Sequence, residues 1–94
     1  MTLRIRRTSR FKKDVKRMLR RGKDLDKLVF VLQELSVERK LPARYRDHPL
    51  KGRHRDKRDC HIEPDWILLY AVKGNELVLY RAGTHSDQIG RAHV

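Results

Sequence analysis

Residues 66–81 read Trp-Ile-Leu-Leu-Tyr-Ala-Val-Lys-Gly-Asn-Glu-Leu-Val-Leu-Tyr-Arg, two β-prone apolar runs around a two-residue Gly74-Asn75 turn. Such a dipeptide between apolar runs is a strong local signal for a β-hairpin. Trp66–Val72 is apolar on both faces, so neither face can stay in water, and the sequence predicts a central strand covered on both sides. The turn also sets a register. Lys73 should oppose Glu76, Val72 oppose Leu77, Tyr70 oppose Leu79 and Leu68 oppose Arg81. Carried on, Trp66 faces Gly83 and Asp65 faces Thr84, with His85 one step beyond. Directly opposed residues lie about 4.5–5.5 Å apart at Cα. Asp65, Arg81 and His85 are therefore expected to gather at one end of a sheet.

The rest of the chain supplies cover for that hairpin. Leu3 and Ile5 alternate with polar residues, as in a short first strand. Ser9 is the expected N-cap of a helix carrying Phe11, Val15, Met18 and Leu19 at helical spacing, ended by Gly22. Asp24 is expected to cap a second helix with Leu25, Leu28, Val29, Leu32 and Leu35, which fades before Pro42. Residues 41–56, punctuated by Pro42, Pro49 and Gly52, read as loop. Arg58–Ile62 can form a strand with Arg58, Cys60 and Ile62 on one face and Asp59 and His61 on the other, broken by Pro64. The order β-α-α-β-β-β predicts an α+β fold, a helical hairpin packed on a mainly antiparallel four-stranded sheet. At 94 residues the chain is expected to form a single domain, 1–94, with one core.

Charge narrows the class. Lys and Arg number 24 against 12 Asp and Glu, a net charge of +12. Eleven of the basic residues fall within positions 1–24, opposed there by Asp14 and Asp24 alone. A field of this sign calls for a polyanion or an acidic partner. The longest apolar stretch falls far short of the ~20 residues of a membrane span, and no apolar segment follows the basic N-terminus, so the expected location is the cytoplasm. The one cysteine, Cys60, excludes an internal disulfide and reads as a small buried hydrophobe. Without HxxxH or CxxC spacing, no metal site and no cofactor are expected.

The chemistry-bearing residues fall in short strings: Asp47-His48-Pro49-Leu50, then Arg58-Asp59, His61, Glu63-Pro64-Asp65-Trp66-Ile67-Leu68, and Arg81 followed by Gly83-Thr84-His85. Over nearly the whole chain this pattern resembles the YafQ-type mRNA interferase toxins of the RelE/ParE superfamily, the toxins of type II toxin–antitoxin systems. The resemblance implies a RelE-like fold and a ribosome-dependent, metal-independent endoribonuclease held inactive by a cognate acidic antitoxin. In such enzymes the ribose 2′-OH attacks the adjacent phosphate, leaving a cyclic phosphate and a 5′-hydroxyl end. Carried over by motif, Asp65 would be general base, His85 general acid, His48 and His61 would engage the scissile phosphate, and Arg81 would steady the phosphorane. The family's aromatic residue near the C-terminus is replaced here by Ile89, and residues 91–94 have no family counterpart.

These roles are chemically coherent. In-line attack needs a proton acceptor on one side of phosphorus and a donor on the other, each contributing typically 10²–10⁴-fold. Free imidazole titrates near ~6.5 and arginine matches a phosphorane bidentately. Aspartate, with a reference pKa of ~3.9, is a weak base, so Asp65, His61 and His48 all stand as candidates for that role. Lys12, Lys13, Lys16, Arg17, Arg20 and Arg21 on the first helix, with Lys51, Arg53 and Arg55 in the loop and Trp66 beside the site, are the expected RNA contacts, to 16S rRNA at the decoding site and to mRNA. The alternative from another class is a non-catalytic ribosome- or nucleic-acid-binding module, which would inhibit translation equally well without His85. A gyrase-poisoning relative of the same fold is disfavoured by the set of histidines.

Overall fold

The computed structural model describes residues 2–87; Ile89 and residues 91–94 lie outside them. Strand β1 (Arg4–Arg7) leads into helix α1 (Ser9–Arg20) and helix α2 (Leu25–Ser36), followed by β2 (His48–Pro49), β3 (Arg58–Glu63), β4 (Trp66–Lys73) and β5 (Glu76–Gly83). The sheet order is β1-β5-β4-β3-β2. β1 runs parallel to β5, and the other neighbours are antiparallel. The α+β architecture is as expected, with five strands where four were expected. The extra one is the two-residue β2, in which His48 and Pro49 pair with Asp59 and Arg58. Proline-containing, charged and two residues long, β2 is an edge strand that sequence periodicity cannot register.

Burial confirms the central hairpin strand. Trp66, Leu68 and Tyr70 of β4 face a core shared with Phe11, Met18, Leu28 and Val31 of the two helices. Ile67 and Leu69 face the other way, against Leu50 and Tyr80. The basic segment after Pro42 thus lays Leu50 over the face that the helices leave open, so both sides of β4 stay dry from Trp66 to Ala71, whereas Val72, expected to be covered, is exposed near the turn.

Three local expectations change. The N-cap of α1 is Thr8, not Ser9: its hydroxyl accepts from the Phe11 N–H at 3.2 Å and donates to the Leu79 carbonyl at 2.9 Å. A cap that also reaches the sheet is chosen by tertiary contact, which propensity alone does not weigh. In α1 the buried stripe is Phe11, Asp14 and Met18, whereas Leu19 is 46% exposed. In α2 it is Leu28, Val31 and Leu35, with Leu25 and Val29 outward. Between the helices Gly22 adopts φ +83, and the Lys23 and Gly22 N–H groups bond Met18 and Leu19 carbonyls, a Schellman closure.

The hairpin register holds from the turn to Tyr70–Leu79 and then slips by one residue. Leu69 faces Arg81, Leu68 faces Ala82 and Ile67 faces Gly83. The expected pairs Leu68–Arg81, Trp66–Gly83 and Asp65–Thr84 are therefore displaced. The cause is a bulge at Tyr80, which has no ladder partner on β4. It falls where β1 stops pairing after Leu79 and where Thr8 Oγ1 takes the carbonyls of Leu79 and Tyr80 at 2.9 and 3.1 Å. An extra residue in one strand re-aims everything beyond it.

Candidate active site

The slip carries His85 to Asp65. Asp65 Oδ1 accepts from the His85 backbone N–H at 2.9 Å and from the His85 ring Nδ1 at 2.5 Å. These donors, the backbone N–H first, hold the Asp65 carboxyl below its ordinary range. Asp65 is thereby a weaker proton acceptor than a free aspartate. A carboxylate only accepts, so Nδ1 carries the hydrogen and Nε2 of His85 is left to the outside. The ring of His61 lies beside it, 5.9 Å between centroids. Its Nδ1 faces the Pro64 carbonyl at 3.2 Å. A carbonyl also only accepts, so neutral His61 has its lone pair on Nε2.

His48 stands on β2. Its Nδ1 faces the Arg46 carbonyl at 2.6 Å, and Nε2 lies 3.2 Å from Asp59 Oδ1. The Arg46 carbonyl holds the ring through Nδ1, whereas the buried Asp59 Oδ1, though 3.2 Å from Nε2, has no hydrogen-bond donor of its own. Asp59 is 7% exposed. Burial pushes its carboxyl up, opposed by His48 and then His61. Asp59 had no role in the sequence reading, although it lies in the matched string. It pairs with His48 across β2–β3, and the missing signal was the existence of β2. The loop bearing His48 is anchored by Asp47, whose Oδ1 accepts from the Tyr70 hydroxyl at 2.6 Å and from Arg58 Nε at 3.1 Å.

Arg81 is placed differently from expectation. Its Nε and Nη2 donate to Asp14 at 2.7 and 3.2 Å. Asp14, 2% exposed, also accepts from the Ala82 N–H at 3.1 Å and from Arg17 at 2.8 Å. β5 continues past β1 here, and Asp14 of α1 satisfies the exposed strand edge that β1 leaves behind. Sequence reading missed it because an aspartate at this heptad-like position normally faces water. Asp65, His85, His61, His48 and Asp59 thus come together, whereas two donors of the Arg81 guanidinium are committed to the helix.

The expected RNA contacts divide likewise. Lys12, Lys13, Lys16 and Arg20 on α1 and Lys51, Arg53 and Arg55 in the loop are exposed. Arg17 and Arg21 are engaged with Asp87, Arg21 Nη1 at 3.0 Å. Trp66 is 1% exposed, so it belongs to the core and offers no stacking face. Cys60 is fully buried, and burial pushes its thiol far up, which leaves it unreactive. Among the described residues no group of three or more His, Cys, Asp or Glu side chains is arranged to hold a metal ion, and no helix is long and apolar enough to cross a membrane.

Known proteins agree with this architecture. Residues 3–90 match the family model described as the bacterial toxin of type II toxin–antitoxin systems, YafQ. The mRNA interferase toxin YafQ of Escherichia coli K12 is 42% identical over 84 residues, which is 88% of this chain and 91% of that protein. The crystal structure of the E. coli DinJ–YafQ toxin–antitoxin complex superposes with a TM-score of 0.85 at 40% identity, covering 93% of this chain and 97% of that one. A copper-bound mutant toxin from Helicobacter pylori gives 0.87 at 39% identity, covering 90% and 97%. With a family match along almost the whole chain and a fold shared with its solved members, the chain belongs to the YafQ family of type II toxin–antitoxin toxins.

Proposed function

We propose that this toxin is a ribosome-dependent endoribonuclease that cleaves mRNA by acid–base chemistry carried by its own side chains, without a metal ion. The observation that carries the reading is the pair of adjacent imidazoles, His61 and His85, each held at Nδ1 by an acceptor and each leaving Nε2 outward. His61 Nε2 takes the 2′-OH proton as the oxygen attacks phosphorus. The P–O5′ bond breaks, and His85, which enters the step with a proton on each ring nitrogen, gives the one on Nε2 to the leaving oxygen, after which solvent takes the proton from His61 and restores one to His85. A 2′,3′-cyclic phosphate and a 5′-hydroxyl remain. Asp65 orients His85 and, being a weakened base, does not take the proton itself. His48, on β2 beside Asp59, engages the scissile phosphate. Arg81 assists from the rim with the donors that Asp14 leaves free, its orientation set by the fork onto that carboxylate.

An open site supports ribosome dependence. The side chains of His48, Asp65 and His85 are 53, 62 and 46% exposed. Such a surface cannot by itself hold a flexible ribose in line, and that positioning is worth a large share of the rate. The exposed lysines and arginines of α1 and the loop provide sequence-independent grip on 16S rRNA. A cognate antitoxin partner is supported by the E. coli YafQ solved in complex with DinJ, and the net charge of +12 favours an acidic chain on the basic surface.

The test programs purified ribosomes with a defined message and maps new 5′ ends. Wild type should cut with EDTA present, and His85→Ala should cut about 10²–10⁴-fold more slowly at unchanged ribosome affinity. Loss of cutting in EDTA would refute the metal-free chemistry. Equal translation inhibition by His85→Ala would favour the non-catalytic module.

A further inference from the structure

A groove of about 550 Å³ runs between the start of α2, the turn at 43–45 and the end of β3, and His61 forms part of its wall. Its sides carry two rings, Tyr45, which is partly buried against the main core, and Phe30. Phe30 is 42% exposed and lies 6.2 Å from Tyr45 between centroids, the planes tilted by 30°. The Arg44 guanidinium sits over Tyr45 at 5.0 Å, and its Nη2 donates to the Tyr45 hydroxyl at 3.3 Å. Single exposed aromatics are ordinary. Two rings and a guanidinium lining one groove make a platform for a flat π-system.

The polar groups select among flat ligands. Asp26 and Glu63 line the same groove. Lys23 and Lys27 each donate to Glu63 at 2.8 Å and hold its carboxyl below the ordinary range, so it stays ionised. Carboxylates repel phosphate and accept from N–H groups. That is the requirement for the edge of a base carrying an exocyclic amine. Lys23 and Lys27 are both held by Glu63, and together with Arg44 they face the two carboxylates Glu63 and Asp26, whose free lone pairs remain the acceptors for an N–H edge. Because His61 belongs to both the groove and the catalytic cluster, whatever sits there is adjacent to the scissile linkage.

We propose that this groove is a nucleobase subsite: one unpaired base of the message, next to the cleaved linkage, stacks on Phe30 and Tyr45 and gives an amino hydrogen to Glu63 or Asp26. The proposal rests on the nuclease reading and adds to it a determinant of where the message is cut. Single-stranded RNA is commonly read this way, with bases splayed onto aromatic and arginine planes. The subsite favours adenine, cytosine or guanine over uracil, which lacks the amine.

The test uses ribosomes carrying a message with a 2′-deoxyribose at the cleavage position and 2-aminopurine at its neighbours. Wild type should quench one aminopurine by stacking, whereas Phe30→Ala and Tyr45→Ala should not. On cleavable message the same variants should lose about tenfold to a hundredfold in kcat/KM, the span of one base–aromatic stack, and Phe30→Trp and Tyr45→Phe should restore it. Glu63→Gln should flatten the preference among bases. Thermal melts of each variant separate misfolding from lost stacking. Unchanged quenching and base preference in the alanine variants would overturn the subsite while leaving the nuclease intact. Variants that cut normally but no longer bind the antitoxin would reassign the groove to a protein partner. Quenching without any cleavage by wild type would keep the subsite and refute the nuclease.

Discussion

At the scale of single residues, two buried aspartates do opposite work. Asp14 gathers four donors, from Arg81, Arg17 and the Ala82 backbone. Removing one partner of such a buried set leaves cations and an N–H unanswered, so Asp14→Ala should cost about 3 kcal/mol or more, read as a lower denaturant midpoint at unchanged m-value. Asp59 is buried beside His48 with its carboxyl pushed up. A raised carboxyl pKa means that its contribution to stability is present at low pH and lost as pH rises through the folded value. Asp59→Asn should therefore melt no lower than wild type at pH 7 while, on the proposed function, cutting at least about tenfold more slowly in the ribosome assay. Asp87 behaves in the reverse sense. Arg21 and the Thr84 N–H at 2.9 Å hold its carboxyl well below the ordinary range. Its contribution is complete above the usual carboxylate value near ~4 and disappears as pH falls toward the folded value. The melting difference between wild type and Asp87→Asn should be constant from pH 5 to 8, on the order of 1–2 kcal/mol, and shrink below about pH 4.

Elements are tied together at their ends. Thr8 caps α1 and simultaneously bonds the β5 bulge, so Thr8→Ala should cost about 1–2 kcal/mol, whereas Ser9→Ala should cost almost nothing; chemical denaturation of the pair distinguishes the two caps. The turn at Gly74, with φ +60 at the first central position, matches a type II′ hairpin. An added Cβ there would meet nothing within 4 Å, so the expected cost of Gly74→Ala, about 1 kcal/mol, is purely that of the backbone conformation. The bulge at Tyr80 is the element-scale event that sets which residues meet at this end of the sheet. In the unslipped register Asp65 would have faced Thr84; with the extra residue it meets His85 and fixes the ring.

Across the whole molecule, basic charge divides into internally paired and outward-facing groups. Part of the basic excess is spent inside the structure, Arg17 and Arg21 on Asp87 and Lys23 and Lys27 on Glu63. Others, notably Lys12, Lys13 and Lys16, project outward. Each of these that touches ribosomal phosphate should lower the slope of log affinity against log salt by about 1 on replacement with alanine, whereas Arg21→Ala should act chiefly on stability. Titrating ribosome binding from 50 to 200 mM salt, roughly the range in which such contacts dominate, sorts the two groups.

The sequence by itself determined the two helices and their Gly22 closure, the central strand, the turn at Gly74-Asn75 and the motif strings, because these depend on periodicity and on the conformational needs of a few adjacent residues. It also singled out His48, His61, Asp65 and His85, which the fold brings together with Asp59. The tertiary structure alone decided that Asp14 rather than the site claims two donors of Arg81, that Asp59 lies beside His48, that Trp66 is sealed in the core, and that β5 carries one residue more than its partner. Each of those depends on groups distant in sequence competing for the same donors, acceptors or space, and local pattern contains no record of that competition.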